Sequence, residues 1–212
     1  MRLADPATVA YLQSRKGVKP RDFLWITGKN RSSGLPESVG FWSDWHTVTV
    51  PVISGETGLE TTRTYTGSGT LIRIDAIPLV SDLTIRTVRV KLSQLNEAVA
   101  LAIRGYDPRF AKVEIHRGML DLDTNSMVAP ALPHFVGRVN QAPIDTPAAG
   151  AEGSITLSVV SHSRELTKTN PQKRSDETQR LRSGDRGRRW SGVAGQWDFF
   201  WGVHNKKAIT TP

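Results

Sequence analysis

A chain of 212 residues with 38% apolar and 23% charged content is long enough to bury one sizeable core and too apolar to be disordered throughout. There is no cysteine, which excludes a disulfide framework, a thiol nucleophile and a thiolate metal site. Net charge is +8, and the residues after 160 hold eleven Lys and Arg against five Asp and Glu, so +6 of it belongs to the C-terminal quarter.

The opening Met1 to Asp5 lacks the apolar core of a secretion signal, and the expected setting is a reducing cytoplasm. No apolar run approaches the roughly 18 residues of a spanning helix. Asp5 and Pro6 form a helix start, with the aspartate as cap and proline in the first turn. Val9, Tyr11 and Leu12 give it a narrow apolar stripe, and Gly17 ends it. Residues 23–27 (FLWIT) read as a compact strand, and residues 28–36 as turn chemistry.

Trp42, Trp45 and the alternating Val48, Val50 and Val52 indicate one long strand or two short ones, with Pro51 at an edge or bulge. Residues 54–62 read as a loop. Residues 70–77 and 83–92 read as the clearest strands. In the second, neither alternating face is cleanly apolar over its whole length, which places it near an edge or interface. Ser93 is a fitting cap for a second helix carrying Leu95, Ala98, Val99, Ala102 and Ile103 at helical spacing, stopped by Gly105. One such helix in a β protein plugs the end of a barrel. Tyr106, Asp107 and Pro108 turn the chain into a strand over 111–120, where Val113, Ile115 and Arg117 face away from Lys112, Glu114 and His116. Residues 121–133 read as a loop, 135–140 as a strand, 143–153 as a connector, and Ile155, Leu157 and Val159 alternate in one further strand. The sum is mainly β: a β-barrel or sandwich of eight to ten strands with one inserted helix and a short N-terminal helix. Three segments result: 1–19 helical, 20–170 the β domain, and 171–212 a basic and aromatic arm.

The search for chemistry is negative. The five histidines have no metal-ligand spacing. Asp121, Asp123 and Asn125 resemble half of a calcium loop, but Ser126 and Leu132 occupy the positions that need glycine and a bidentate glutamate. Ser161 and His162 are neighbours on a strand and face opposite sides, so they make no triad. No cofactor, no metal and no catalytic residue is assigned, and an enzyme is not expected.

What remains is the stretch 174–202. Its first half holds Arg174, Arg180, Arg182, Arg186, Arg188 and Arg189, interspersed with Asp176, Glu177 and Asp185. Its second half holds Trp190, Trp197, Phe199, Phe200 and Trp201. The arginines read as a solvated face, as ion pairs to a neighbouring subunit, or as phosphate contacts. The aromatics read as a last strand closing the domain or as anchors in another chain, since interfaces enrich Trp, Phe and Arg. The subunit-contact set is Arg174, Arg180, Arg182, Arg186, Arg188, Arg189, Trp190, Trp197, Phe199 and Trp201.

These residues also carry a resemblance. Residues 174–180 (RSDETQR), then 184–187 (GDRG), then the block ending Phe200, Trp201 and Gly202, resemble the C-terminal part of tail-tip proteins of long-tailed bacteriophages and gene transfer agents. Upstream, Gly105, Tyr106 and Asp107, then Val113, Glu114 and Ile115, then Phe135, Gly137 and Val139 follow that family's order, so the likeness spans most of residues 20–202. It implies a hub-type β-barrel that assembles as a trimeric or hexameric ring at the virion tail tip, or baseplate, after synthesis in the host cytoplasm. Such a ring joins the tail tube or distal tail ring to the central spike and receptor-binding apparatus, with a tape-measure protein or DNA as candidate occupants of the lumen. The alternatives are the distal tail protein, a hexameric adaptor under the tube, and, from another class, a nucleic-acid-binding β-barrel. A tail-associated hydrolase ranks third. Some relatives carry a C-terminal cysteine cluster for an iron–sulfur centre; this chain has no cysteine, and that cofactor is not carried over.

Overall fold

The computed structural model describes residues 5–67, 69–78, 82–94, 96–146, 148, 153–169 and 172–196. The chain divides into two compact units, Met1–Thr167 and Lys168–Pro212.

The first unit is mainly β, a curled antiparallel sheet forming a half-barrel, with few helices. Helix α1 (Pro6–Gln13) starts as the sequence indicates: the Asp5 carboxylate accepts the Ala7 N–H at 2.8 Å. It buries none of its side chains and touches the sheet through Tyr11, whose hydroxyl donates to the Leu120 carbonyl. Strands β1 (Lys19–Asn30) and β2 (Pro36–Trp42) follow as a hairpin, then the separate hairpin β3 (Val48–Ile53) and β4 (Glu60–Tyr65). Then come β5 (Leu71–Ile74), β6 (Thr87–Ser93), α2 (Glu97–Gly105), β7 (Tyr106–Leu120), β8 (Leu132–Gln141), β9 (Ile144–Asp145) and β10 (Ser154–Ser161). The sheet runs β2-β1-β7-β8-β10-β6-β5, with β9 paired to β10, and every pairing is antiparallel.

Several expectations are corrected. β1 extends through Asn30, and the turn contracts to 31–35, because Lys29 and Asn30 pair with Asp107 and Tyr106. That same pairing makes Tyr106 and Asp107 the start of β7 in place of a turn, with Pro108 in the register shift that follows. Asn96, not Ser93, caps α2, its side chain accepting the Ala98 N–H, while Ser93 ends β6. The strands expected over 70–77 and 83–92 shorten to Leu71–Ile74 and Thr87–Ser93. Once residues 83–86 leave the strand, β6 has one clean apolar face of Val88, Val90 and Leu92.

Two cores result because the sheet is covered on both faces. Inside the curl, Leu24, Ile26, Val90, Leu92, Val113, Ile115, Leu157 and Val159 pack together. Helix α2 closes this core with Val99, Ala102 and Ile103, the plug that its spacing predicts. On the other face, the β3–β4 hairpin covers Phe23, Trp42 and Leu120 with Val50, Val52 and Tyr65. Phe23 stacks on Trp42 at 5.6 Å, and the Tyr65 ring meets Phe23 edge-on. Close approach here requires glycine: a Cβ on Gly40 would lie 2.5 Å from the Thr64 carbonyl oxygen, so β2 passes under β4 only without a side chain. At Gly137, opposite Ser161, a Cβ would lie 2.3 Å from the Val160 carbonyl oxygen.

The hairpin is locked to the sheet by a buried charge. Glu114 stands on the hairpin side of β7, opposite Trp25. Its carboxylate accepts from Arg63 Nη1 and the Gly55 N–H, both at 2.9 Å. His116 Nε2 lies 3.0 Å from the Ile53 carbonyl oxygen and 3.3 Å from Glu114 Oε2. Both neighbours accept, so this nitrogen carries the hydrogen. The Arg63 guanidinium also lies 4.9 Å from the Trp25 ring centre. Burial pushes the Glu114 carboxyl up, but the hydrogen bonds from His116, Arg63 and Gly55 outweigh it and hold the group at about 2.

Since that value lies below the ordinary 4.5, the pair stabilises the fold fully above about pH 4.5, and its contribution disappears as pH falls through 2. Glu114→Gln leaves the buried Arg63 charge without a counter-charge and is expected to cost about 3–5 kcal/mol in urea unfolding at pH 7. The gap between variant and parent should shrink between pH 4.5 and 2; a gap that does not change with pH contradicts this account.

Candidate assembly interface

The second unit is built by polar local contacts. Ser175 caps the short helix α3 (Asp176–Arg180), its Oγ accepting the Thr178 N–H at 3.3 Å. Beyond it the chain coils in successive turns, with Arg182 N–H bonded to the Gln179 carbonyl, Gly184 N–H to Arg180 and Arg189 N–H to Arg186. Ser183 and Gly184 take left-handed backbone angles, φ 53° and 75°, which reverse the chain. Three side-chain links fasten the coil: Arg186 to Asp176 at 2.7 Å, the Gln179 amide to Asp185 at 2.7 Å, and Arg180 to Glu177 at 3.2 Å. The Gly187 N–H, then Gln179, hold the Asp185 carboxyl below its usual value, and the hydrogen bond to Asp176 raises Arg186.

This arrangement sorts the arginines. Arg180 and Arg186 are engaged within their own segment. Arg189 lies over the Trp190 ring at 4.9 Å. Arg174 and Arg188 have no hydrogen bond or ion pair from their side chains among the described residues, and Arg182 feels Asp185 only through space. Trp197, Phe199 and Trp201 fall in 197–212, outside the described residues. None of the described side chains of 172–196 is buried, and Leu181 (79% exposed) and Trp190 (59%) stand uncovered.

The first unit offers a different surface. A cleft of about 220 Å³ is lined by Glu56, Lys112, Glu114, Val136, Arg138 and His162. Its charges are already matched: Lys112 pairs with Glu56, Arg138 with Glu165, and Glu114 with Arg63. Ser161 Oγ accepts the Arg86 N–H at 3.1 Å, and His162 opens a 3₁₀ turn over His162–Thr167. In the 121–125 turn, Asp121 Oδ1 accepts the N–H groups of Asp123 and Thr124, so that carboxylate orders its own loop.

Sequence reasoning missed Arg63, Glu114 and His116 as a unit, because alternation along β7 marks Glu114 and His116 as the outer face and nothing local shows that a hairpin covers it. The one available signal is the run Val113 to His116 in a strand whose two faces are both filled. It also missed Lys173, whose place beside Arg182 and Arg188 becomes visible only when the coil folds back.

The links in the second unit make a direct prediction. Asp176→Ala removes the partner of Arg186, and limited trypsin digestion of the intact chain should then cut within 172–196 faster than in the parent, with the first unit's digestion unchanged. Equal rates at the arginine sites would show that the link does not order the segment.

Comparison with family models and with characterised proteins finds no match.

Proposed function

We propose that this chain is a structural protein of a phage tail tip or baseplate, a hub-type subunit that forms a ring joining the tail tube or distal tail ring to the central spike apparatus. The observation that supports it most is the state of residues 172–196. They are ordered by polar links, bury no described side chain, and present Trp190, Leu181 and arginines to the outside. Exposed ion pairs contribute only about 0–1 kcal/mol each, whereas ordering costs roughly 1–2 kcal/mol per residue of backbone alone. A surface on another chain supplies the missing burial, and a ring built by heterologous head-to-tail contacts offers one to every subunit.

The body suits the same role. Its covered faces and the paired charges of its cleft make a rigid block, and the hub reading assigns assembly to the basic segment. The resemblance carried by residues 174–187 points to the same segment.

A chain ended after Asn170 keeps both cores and the Arg63–Glu114 lock. It is expected to unfold cooperatively at close to the parent's urea midpoint yet to run as a monomer in sedimentation where the intact chain runs as a ring. A fragment that assembles like the intact chain would contradict the proposal.

A further inference from the structure

The cations of the second unit are not spread evenly. Lys173, Arg174, Arg182 and Arg188 surround one concavity of about 280 Å³, with Ser175 and Thr178 on its wall. Among the described residues no carboxylate lines it. The acids nearest in sequence hydrogen-bond elsewhere: Asp176 to Arg186, Glu177 to Arg180, and Asp185 to Gln179 and the Gly187 N–H, with Asp185 reaching Arg182 only through space. Like charges gathered around a concave wall repel one another and hold a positive potential that an anion relieves. Guanidinium groups present fork-shaped donors suited to carboxylates or phosphates.

We infer that this concavity is a receptor for clustered carboxylates on a protein segment, an acidic loop or terminus of a neighbouring chain. Its shape favours protein over nucleic acid. Strands of nucleic acid are held by a track of cations along successive phosphates together with aromatic faces on which bases stack. Here four cations converge on a space the size of a few side chains. The exposed ring nearest to them in sequence is Trp190, and the Arg189 guanidinium lies over its face. The arginines thus divide into Arg180 and Arg186, which fasten the coil, and Arg174, Arg182 and Arg188, which receive the partner. That the acidic partner is an adjacent tail subunit rests on the proposed function; the preference for carboxylates does not.

The test uses the intact, nuclease-treated protein and two fluorescent probes of equal charge, a short polyglutamate peptide and an oligothymidylate, read by anisotropy. The peptide should bind more tightly than the oligonucleotide. The triple variant Arg174→Gln, Arg182→Gln, Arg188→Gln should weaken the peptide by about tenfold or more. The same charge removed from the body by Arg89→Gln, Lys91→Gln and Arg109→Gln should leave its affinity nearly unchanged. Equal losses in both variants, or tighter binding of the oligonucleotide, overturns the inference. Peptide binding by a protein that stays monomeric supports the receptor and counts against the ring. A ring whose peptide affinity is unaffected by the triple variant does the reverse.

Discussion

The Arg63–Glu114 pair is the constraint on which the body depends. Glu114 sits on a strand whose other face builds the inner core, so that one strand must satisfy an apolar plug on one side and a charged hairpin on the other. A carboxylate so placed would normally cost more than it returns. It is tolerated because four donors or partial charges converge on it from three parts of the chain: both Arg63 nitrogens from β4, the Gly55 N–H from the β3–β4 loop, and His116 from β7 itself. The pair therefore fixes where the hairpin lies as much as how firmly it is held. Around it, burial pushes the Tyr65 phenol, on the covered face of the hairpin, up to about 12.

Much of the body was legible in the sequence, wherever local chemistry and tertiary packing agree. Asp5 and Pro6 start α1, Ile155, Leu157 and Val159 mark the core face of β10, and Val99, Ala102 and Ile103 mark the buried face of α2. Legibility failed where long-range pairing overrides local preference. Asn30 looks like a turn residue, yet it pairs with Tyr106, and Pro108 looks like a breaker, yet β7 carries it in the register shift between Asp107 and Lys112. Gly40 and Gly137 read as nothing in particular, because the carbonyl groups that exclude a side chain there belong to residues more than twenty positions away. Trp42 and Trp45 look equivalent in sequence, and one is buried at the centre of the hairpin core while the other is 79% exposed.

The second unit was legible in composition but not in arrangement. Counting arginines marks 174–189 as a place of contact; it does not separate those that fasten the coil from those that face outward. That separation depends on which acid folds back onto which base. Asp176 reaches Arg186 across ten positions only because Ser183 and Gly184 reverse the chain. The outcome is a segment with its acids engaged in its own links and with Leu181 and Trp190 exposed. In the proposed reading, the body and this segment belong to the subunit of a ring.

The mass of the intact, nuclease-treated protein in solution, by light scattering at low and at physiological salt, tests this account most directly. A discrete trimer or hexamer that persists at physiological salt is the predicted result. A monomer at every concentration that binds arbitrary DNA, with affinity falling steeply as salt rises, would contradict it.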